Sequence, residues 1–435
     1  MQKYGVVGSG GAGFPSYAKL AEGADTLVIN CAECEPLMYT DYTLAKEELS
    51  KIAEGAEIIM EYTGIKHAYL AIKSYRAGTL GLTEGQEIGK NVSIKILPNV
   101  YPMGDEIVLI YQVTHRVVKP GALPISVGVI VYNAETVYNT RAAVLEGKPV
   151  IDKWVTIGGN LPNAYVVKAP IGMKVTDMLD QVGVKIPERN VMFDGGPAMG
   201  KIKNPNASSV IKTTKGIIIV PEDIPAVVHK TRPVQTSLRI ASSACCQCTR
   251  CTDMCPRHLL GYPLEPHKMV RVALNPAEAD PELIKTASMC CGCGVCGVAA
   301  CCQDISPKEV IAQFKGILAK NKMKYTAGPD EEIVPHADRD FKLLTSQKWK
   351  ELLGVAKFDK RPIFIEKDLT ANRVVIPMSQ HIGAPSVPVV SVGDKVEKGQ
   401  LIANAGAGLS VPQYASISGT VSAVDPTQVT IEANA

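Results

Sequence analysis

The feature that limits this chain most is a pair of short stretches crowded with thiols, CCQCTRCTDMCP at residues 245–256 and CCGCGVCGVAACC at 290–302. They hold eleven of the thirteen cysteines in a chain of 435 residues. Disulfides, zinc, iron and simple burial are the candidate partners for so many thiols. The amino terminus, MQKYGVVGSGGAGFP, has neither the apolar core of a secretory signal nor an Arg-rich amphipathic presequence, which predicts a cytoplasmic location. In a reducing compartment disulfides are disfavoured, and clustered cysteines point to metal or redox chemistry.

Cys245, Cys248, Cys251 and Cys255, followed by Pro256, fit C-x2-C-x2-C-x3-C-P without adjustment, the spacing of a bacterial ferredoxin half-site. Three thiolates two residues apart wrap one [4Fe-4S] cubane, and the fourth, past a bend, is free to reach a second. Zinc usually takes two C-x2-C knuckles separated by a longer loop, which a continuous run of four does not supply. Cys290, Cys293 and Cys296 repeat the spacing, but position 300 is Ala and the next thiols are Cys301 and Cys302. Cys301 is assigned as the fourth ligand, with Cys302 the alternative. If the ferredoxin exchange holds, one cluster uses Cys245, Cys248, Cys251 and Cys301, and the other Cys290, Cys293, Cys296 and Cys255. Cys246, Cys291 and Cys302 are expected to pack as small apolar residues beside the ligands. Around the motifs, EPHKMVRVAL, PELIKTASM and KEVIAQFKGILAKNK have apolar residues at helical intervals, so a two-cluster domain is predicted over 235–325.

At the amino terminus, VVGSGGAGFPSYAKL places Gly8, Gly10, Gly11 and Gly13 between an apolar start and a helical run, a loop whose N–H groups can approach a phosphate. The spacing departs from G-x-G-x-x-G, so the loop alone is a weak signal. TLVINCAECEP reads as a strand ending in Asn30, Glu33 and Glu35; Cys31 and Cys34 have no second pair nearby and read as buried or free thiols. NVYPMGDEIVLIYQVT and GVIVYNAETVYNTRAAV each join a strand or turn to a helix, and the alternation predicts an α/β domain over 1–150. DGGPAMGK lacks the phosphate-loop pattern G-x-x-x-x-G-K-[ST] and reads as tight turns.

Composition removes other classes. A net charge of +3 and 5% aromatic residues give no field or stacking platform for nucleic acid. No apolar run is long enough to cross a bilayer, so direct membrane insertion is not expected.

GSGGAGFPSYAK, NCAECEP, YPMGDE and YNAET together resemble the flavin domain shared by the RnfC component of Rnf complexes and the NADH-binding subunit of respiratory complex I. The resemblance implies a Rossmann-like FMN domain. Carried over position by position, it implies that Gly8, Gly10, Gly11 and Lys19 hold the FMN phosphate and that Asn30 and Glu33 lie along the flavin. Tyr101, Gly104, Asp105, Glu106, Asn133 and Thr136 would complete the pocket. In the same family, residues 151–234 resemble the soluble-ligand-binding β-grasp domain, and 381–435 the lipoyl and biotinyl barrel-sandwich hybrid, joined by a connecting segment at 326–380. The stretch NAGAGLSVPQYAS, where that fold carries a modified lysine, has none, so an unmodified structural or docking module is expected.

With the barrel-sandwich piece at the carboxyl end, together with CPRHLLGYPLEPHKMVR and the lengthened CGVCGVAAC loop, the chain most resembles the cobalamin reductases of propanediol-utilization bacterial microcompartments. The resemblance implies an oxidoreductase carrying FMN and two [4Fe-4S] clusters, with NADH as electron donor and cobalamin as acceptor. It further implies cob(I)alamin supply to an ATP:cob(I)alamin adenosyltransferase, and a place inside or attached to a microcompartment shell. Two alternatives are an electron-input subunit of an Rnf-like membrane ferredoxin/NAD oxidoreductase, and a non-enzymatic docking protein with structural clusters.

Overall fold

The computed structural model describes residues 1–278 and 280–434. Six strands come first: β1 (Thr26–Cys31), β2 (His67–Lys73), β3 (Glu87–Gly89), β4 (Val92–Leu97), β5 (Val100–Tyr101) and β6 (Val129–Asn133). All but β5 form one sheet in the order β3-β4-β2-β1-β6, parallel except for the edge strand β3. The unbroken apolar run of TLVINC follows from cover on both faces. Leu27 and Ile29 pack toward helices α1 (Thr40–Thr63) and α4 (Ala134–Leu145), while Val28 packs toward α3 (Glu106–Thr114); α2 is Ser74–Leu80. Helices α1 and α4 meet so closely that a Cβ on Gly55 would lie 2.3 Å from the Val137 carbonyl oxygen. Only glycine fits that crossing.

The chain then forms β7 (Asp152–Gly159), β8 (Ala164–Pro170), helix α5 (Val175–Gln181), β9 (Asn190–Asp194), β10 (Lys201–Lys203) and β11 (Gly216–Pro221). These join a six-stranded mixed sheet in the order β10-β9-β11-β7-β8-β13, whose last member, β13 (Pro362–Phe364), arrives from far along the sequence. Residues 326–380, read as a connector, also supply β12 (Leu344–Thr345), paired antiparallel with β5. Pairing of a two- or three-residue strand with a distant edge leaves no periodic signal in the sequence.

Between the two sheets and these returning strands lies a helical unit: α6 (Pro225–Thr231), α7 (Val234–Ala244), α8 (Arg250–Asp253), α9 (Pro266–Leu274), α10 (Pro281–Lys285) and α11 (Pro307–Lys320). The helical periodicity around the cysteine motifs emerges as α9, α10 and α11, whose inward residues Met269, Ile284, Ile311 and Leu318 share a small core. Helix α12 (Ser346–Leu352) follows β12 and buries Trp349.

Residues 373–432 form a four-stranded and a three-stranded sheet closed over Val374, Ile376, Ile402, Val421 and Ile431, a core continuous with Val155, Ile157 and Ile217 of the second sheet. The stretch 404–416 is docked back on the amino terminus: the Ser410 carbonyl accepts from Gln2 Nε2 at 3.4 Å, and Tyr414 Oη donates to the Lys3 carbonyl.

Candidate redox site

Asn30 and Asn133 sit side by side, half-buried, at the carboxyl ends of β1 and β6, the position at which open parallel sheets form a ligand crevice. The glycine loop closes one side. Gly8 N–H donates to the Phe14 carbonyl at 2.8 Å, and Ser9 N–H donates to Thr136 Oγ1 at 3.0 Å, so the loop is pinned at its base to α4. Gly10 lies against Asn133, and Gly11, at φ +111°, has nothing within 4 Å of a Cβ position. Among the described residues, Gly10 and Gly11 donate no hydrogen bond to the chain, and both are exposed. Two free N–H groups on a glycine loop fit an anionic phosphate oxygen.

Asn133 caps α4, accepting from Glu135 N–H at 3.1 Å, and its Nδ2 reaches the Asn30 carbonyl at 3.3 Å and the Asp41 carboxylate at 3.2 Å. Asn30 Nδ2 donates to the Gly104 carbonyl at 3.0 Å, which ties β1 to the turn before α3. Gly104 is required by crowding, since a Cβ there would stand 3.0 Å from Cys34 Sγ. Asp105 caps α3 through Val108 N–H at 3.2 Å. Lys19 Nζ donates to Glu106 Oε1 at 2.7 Å and to the Val131 carbonyl at 3.2 Å, reaching the rim of the crevice about one-third exposed.

Glu33 and Tyr101 stand apart from this group. Glu33, at φ +40°, turns its carboxylate onto the start of α1, accepting from Asp41 N–H at 2.8 Å and Tyr42 N–H at 3.2 Å. Burial, with Asp41 beside it, pushes the Glu33 carboxyl up to about 7. Beneath it lies an ionic layer that the sequence did not announce: Lys215 Nζ contacts Asp41 Oδ2 at 2.6 Å, and the fully buried Lys153 pairs with Glu135. Tyr101, expected in the flavin pocket, is 1% exposed and points the other way. Its hydroxyl donates to the Cys293 carbonyl at 2.8 Å, and its ring stacks on Trp349 with centroids 4.6 Å apart.

The cysteines form two pockets, each mixing thiols of both motifs. One is lined by Cys290, Cys293 and Cys296 together with Cys255, with Cys291 beside them; the other by Cys245, Cys248 and Cys251 together with Cys301, and also by Cys246 and Cys302. Left-handed residues shape both loops: Gln247 and Thr249 at φ +55° and +61°, and Gly292 and Gly294 at +72° and +82°. No two of the thirteen thiols are joined by a disulfide. Eight thiols in two sets of four, with Gly292 N–H and Ile305 N–H each 3.4 Å from the sulfurs of Cys290 and Cys301, suit a soft metal cluster. Burial, then Cys290, Cys255 and Cys251, push the Cys296 thiol well up, so Cys251 of the other set lies close enough to act on it. Likewise burial, then Cys301, Cys248 and Cys245, push the Cys251 thiol up to about 12; Cys301 and Cys302 both line this pocket, and Cys302 lies beside Cys248.

Cys302 is exposed, as is Cys246, and both lie with Cys248 so that their sulfurs are within 4.8 Å of one another. The expectation that Cys246 and Cys302 pack as small apolar residues is therefore corrected: their loops run over the surface, where nothing covers them. Cys291 alone of the three is drawn inward, between core residues of β5 and α12. The two pockets also differ in depth. Cys255, Cys293 and Cys296 are buried, whereas Cys248 is exposed and Cys245, Cys251 and Cys301 are half-buried.

Arg257, two residues past Cys255, lines the buried pocket and meets Asp105 Oδ2 at 2.8 Å. Burial works against its charge, but Asp105 and Cys291 outweigh that and hold the guanidinium firmly ionised. One link, Asp105 to Arg257, thus spans from the crevice to the buried thiol set, while Tyr101 holds the Cys293 carbonyl from β5. Lys315 adds a further positive group there, its Nζ donating to the Cys290 carbonyl at 2.7 Å. Arg257 sits in the CPRHLL run next to a ligand and could have been suspected; Trp349, in the supposed connector, gave no local signal.

Known proteins resemble the chain along its whole length. Residues 1–142 match the family described as Nuo51 FMN-binding domain, 244–306 the 4Fe-4S dicluster domain, and 356–435 the RnfC Barrel sandwich hybrid domain. Cobalamin reductase PduS of Salmonella typhimurium is 35% identical over 98% of this chain and 94% of its own length. The PduS of Citrobacter freundii is 34% identical over the same shares. The C component of the Na(+)-translocating ferredoxin:NAD(+) oxidoreductase complex of Acetobacterium woodii is 29% identical over 59% of this chain and 56% of its own length.

Proposed function

The chain belongs to the family of the cobalamin reductase PduS, an electron-transfer oxidoreductase family with flavin and iron–sulfur domains, and from that premise we propose that it passes electrons from NADH through FMN and two [4Fe-4S] clusters to cobalamin. The observation that carries this reading is the pair of three-plus-one thiol pockets, the deeper of which is tied through Arg257 and Asp105 to the crevice. When bound, FMN and the clusters would supply the conversion of a two-electron donor into single electrons.

The residues of the chain set the arrangement. Gly10 and Gly11, with Lys19 at the rim, would hold the FMN phosphate, and Asn30, Gly104, Asn133 and Thr136 fix the crevice walls. Glu106 holds the Lys19 ammonium at the end of β6. Cys290, Cys293, Cys296 and Cys255 would bind the inner cluster, with Arg257 and Lys315 supplying positive charge that favours its reduced form. Cys245, Cys248, Cys251 and Cys301 would bind the outer one. Two adjacent sets at unequal depth favour a route from crevice to inner to outer cluster. The product would pass to an ATP:cob(I)alamin adenosyltransferase, within or attached to a bacterial microcompartment shell. Among the described residues no helix is long and apolar enough to cross a membrane. A membrane-complex role is less favoured, because the match to the ion-translocating complex leaves about two-fifths of this chain unaccounted for.

Anaerobic purification with iron, sulfide and flavin assays, followed by NADH-dependent reduction of cobalamin, tests the reading. About eight irons and one FMN per chain are expected from two cubanes and one crevice. Stoichiometric cofactors without cobalamin reduction would refute the assigned reaction, and iron without flavin would refute the assembly of the parts.

A further inference from the structure

Beside the outer thiol set, a groove of ≈ 380 Å³ runs between α7 and α9. Cys245 lines both the groove and the thiol pocket, so a single ligand side chain separates them. That volume lies within the range that encloses a large small molecule, about 300–1,000 Å³. Val270 and Val272 give it an apolar floor, and Leu274 stands at its edge 40% exposed. Ser242, Gln247 and Arg271 ring it with hydroxyl, amide and guanidinium groups. Among the described residues no carboxylate lines it. Arg271 is oriented by Gln247, whose Oε1 accepts from Nη1 at 2.7 Å, and remains exposed toward the groove.

On the reading given above, which this step rests on, we infer that the groove is the docking site of the cobalamin acceptor and the outer cluster its electron source. A corrin is a flat, largely apolar macrocycle fringed with amides and bearing a phosphodiester. An apolar floor, an amide and hydroxyl rim, one exposed guanidinium and the lack of opposing carboxylates suit each of those parts in turn. The inner thiol set offers no such approach, since three of its four sulfurs belong to buried residues. Each docking would move one electron: with a cluster held by the outer thiols as donor, cobalt(III) would become cobalt(II) in one docking and cobalt(I) in the next. One NADH supplies both electrons, leaving NAD+ and a proton.

The test uses the anaerobic holoprotein with hydroxocobalamin as probe. Hydrogen exchange on the wild-type protein should show protection at residues 241–247 and 270–275 when hydroxocobalamin is added. Equilibrium dialysis should show binding weakened about tenfold or more, a loss of about 1.4 kcal/mol, in Leu274→Asp and in Ser242→Trp. Protection elsewhere, no protection at all, protection only when a protein partner is added, or unchanged affinity in both variants would overturn the assignment. The two readings fail separately. Wild-type protein that reduces cobalamin, with protection away from α7 and α9, sinks the groove alone, whereas wild-type protein that does not reduce cobalamin sinks the proposed reaction.

Discussion

Lys212 offers a sharp test of how the three parts of the chain are held together. Its side chain is 1% exposed and its Nζ donates to the Gly5 carbonyl at 2.9 Å and the Pro412 carbonyl at 3.3 Å, joining the amino terminus, the second sheet and the barrel sandwich. Among the described residues no carboxylate pairs with it; its ammonium instead acts on His381, which burial and then Lys212 hold below its usual value. Burial drives the Lys212 ammonium from 10.5 down to about 7. At about 1.36 kcal/mol per unit, that gap is worth roughly 5 kcal/mol. The folded-state value is depressed, so below pH 7 folded and unfolded chains both carry the proton and the folded protein bears the whole cost. Between pH 7 and 10.5 the unfolded chain binds more protons, and stability rises with pH. Lys212→Met removes the charge but leaves two buried carbonyls unpaired, at about 1–3 kcal/mol each. At pH 6 the variant should therefore stand between about 3 kcal/mol above and about 1 kcal/mol below wild type, having gained about 5 kcal/mol on it relative to alkaline pH. That gain should be lost as pH rises toward 10. Anaerobic thermal unfolding of both proteins followed by circular dichroism over pH 6–10 reads this directly, since titrating groups other than the neighbouring His381 cancel in the difference. Parallel curves for the two proteins would show that the ammonium is not held in a desolvated site.

The remaining expectations concern the redox site. Cys301→Ser should lose about four of eight irons, whereas Cys302→Ser should keep all of them; the opposite pattern in an iron assay would reassign the ligand. Arg257→Met leaves Asp105 buried without its cation and should lower stability by about 3–5 kcal/mol. Adding Asp105→Leu should restore much of that in denaturant unfolding, and an additive double variant would refute the pairing. Gly13→Ala would place a Cβ 2.8 Å from Thr213 Cγ2 and 3.0 Å from the Gln380 carbonyl oxygen at φ +67°. Dialysis should show about tenfold or greater loss of FMN with iron content unchanged, and full flavin retention would place the phosphate elsewhere.

Local spacing determined much of the chemistry. C-x2-C-x2-C loops bring thiols together within a few residues wherever the chain goes, so iron–sulfur character was legible from residues 245–256 alone. The same holds for the glycine loop at Gly8–Gly13 and for β1, where an unbroken apolar run signals a strand covered on both faces. Asn133 and Asp105, as caps, were readable from the residue types that start helices.

Contacts between distant segments were decided only by the fold. Asp105 and Arg257 are 152 residues apart, and Tyr101 and Cys293 are 192 apart. Neither pairing leaves a trace in local periodicity. The fold turned Tyr101 away from the crevice and stacked it on Trp349, brought β13 across to β8, and left Cys302 in solvent while Cys301 turned inward. Sequence fixes which groups a loop can present, because that depends on a handful of neighbouring dihedral angles. Depth, partner and neighbouring charge depend on how separate sheets and helices pack, and those are what set one thiol cluster inside and the other at the surface.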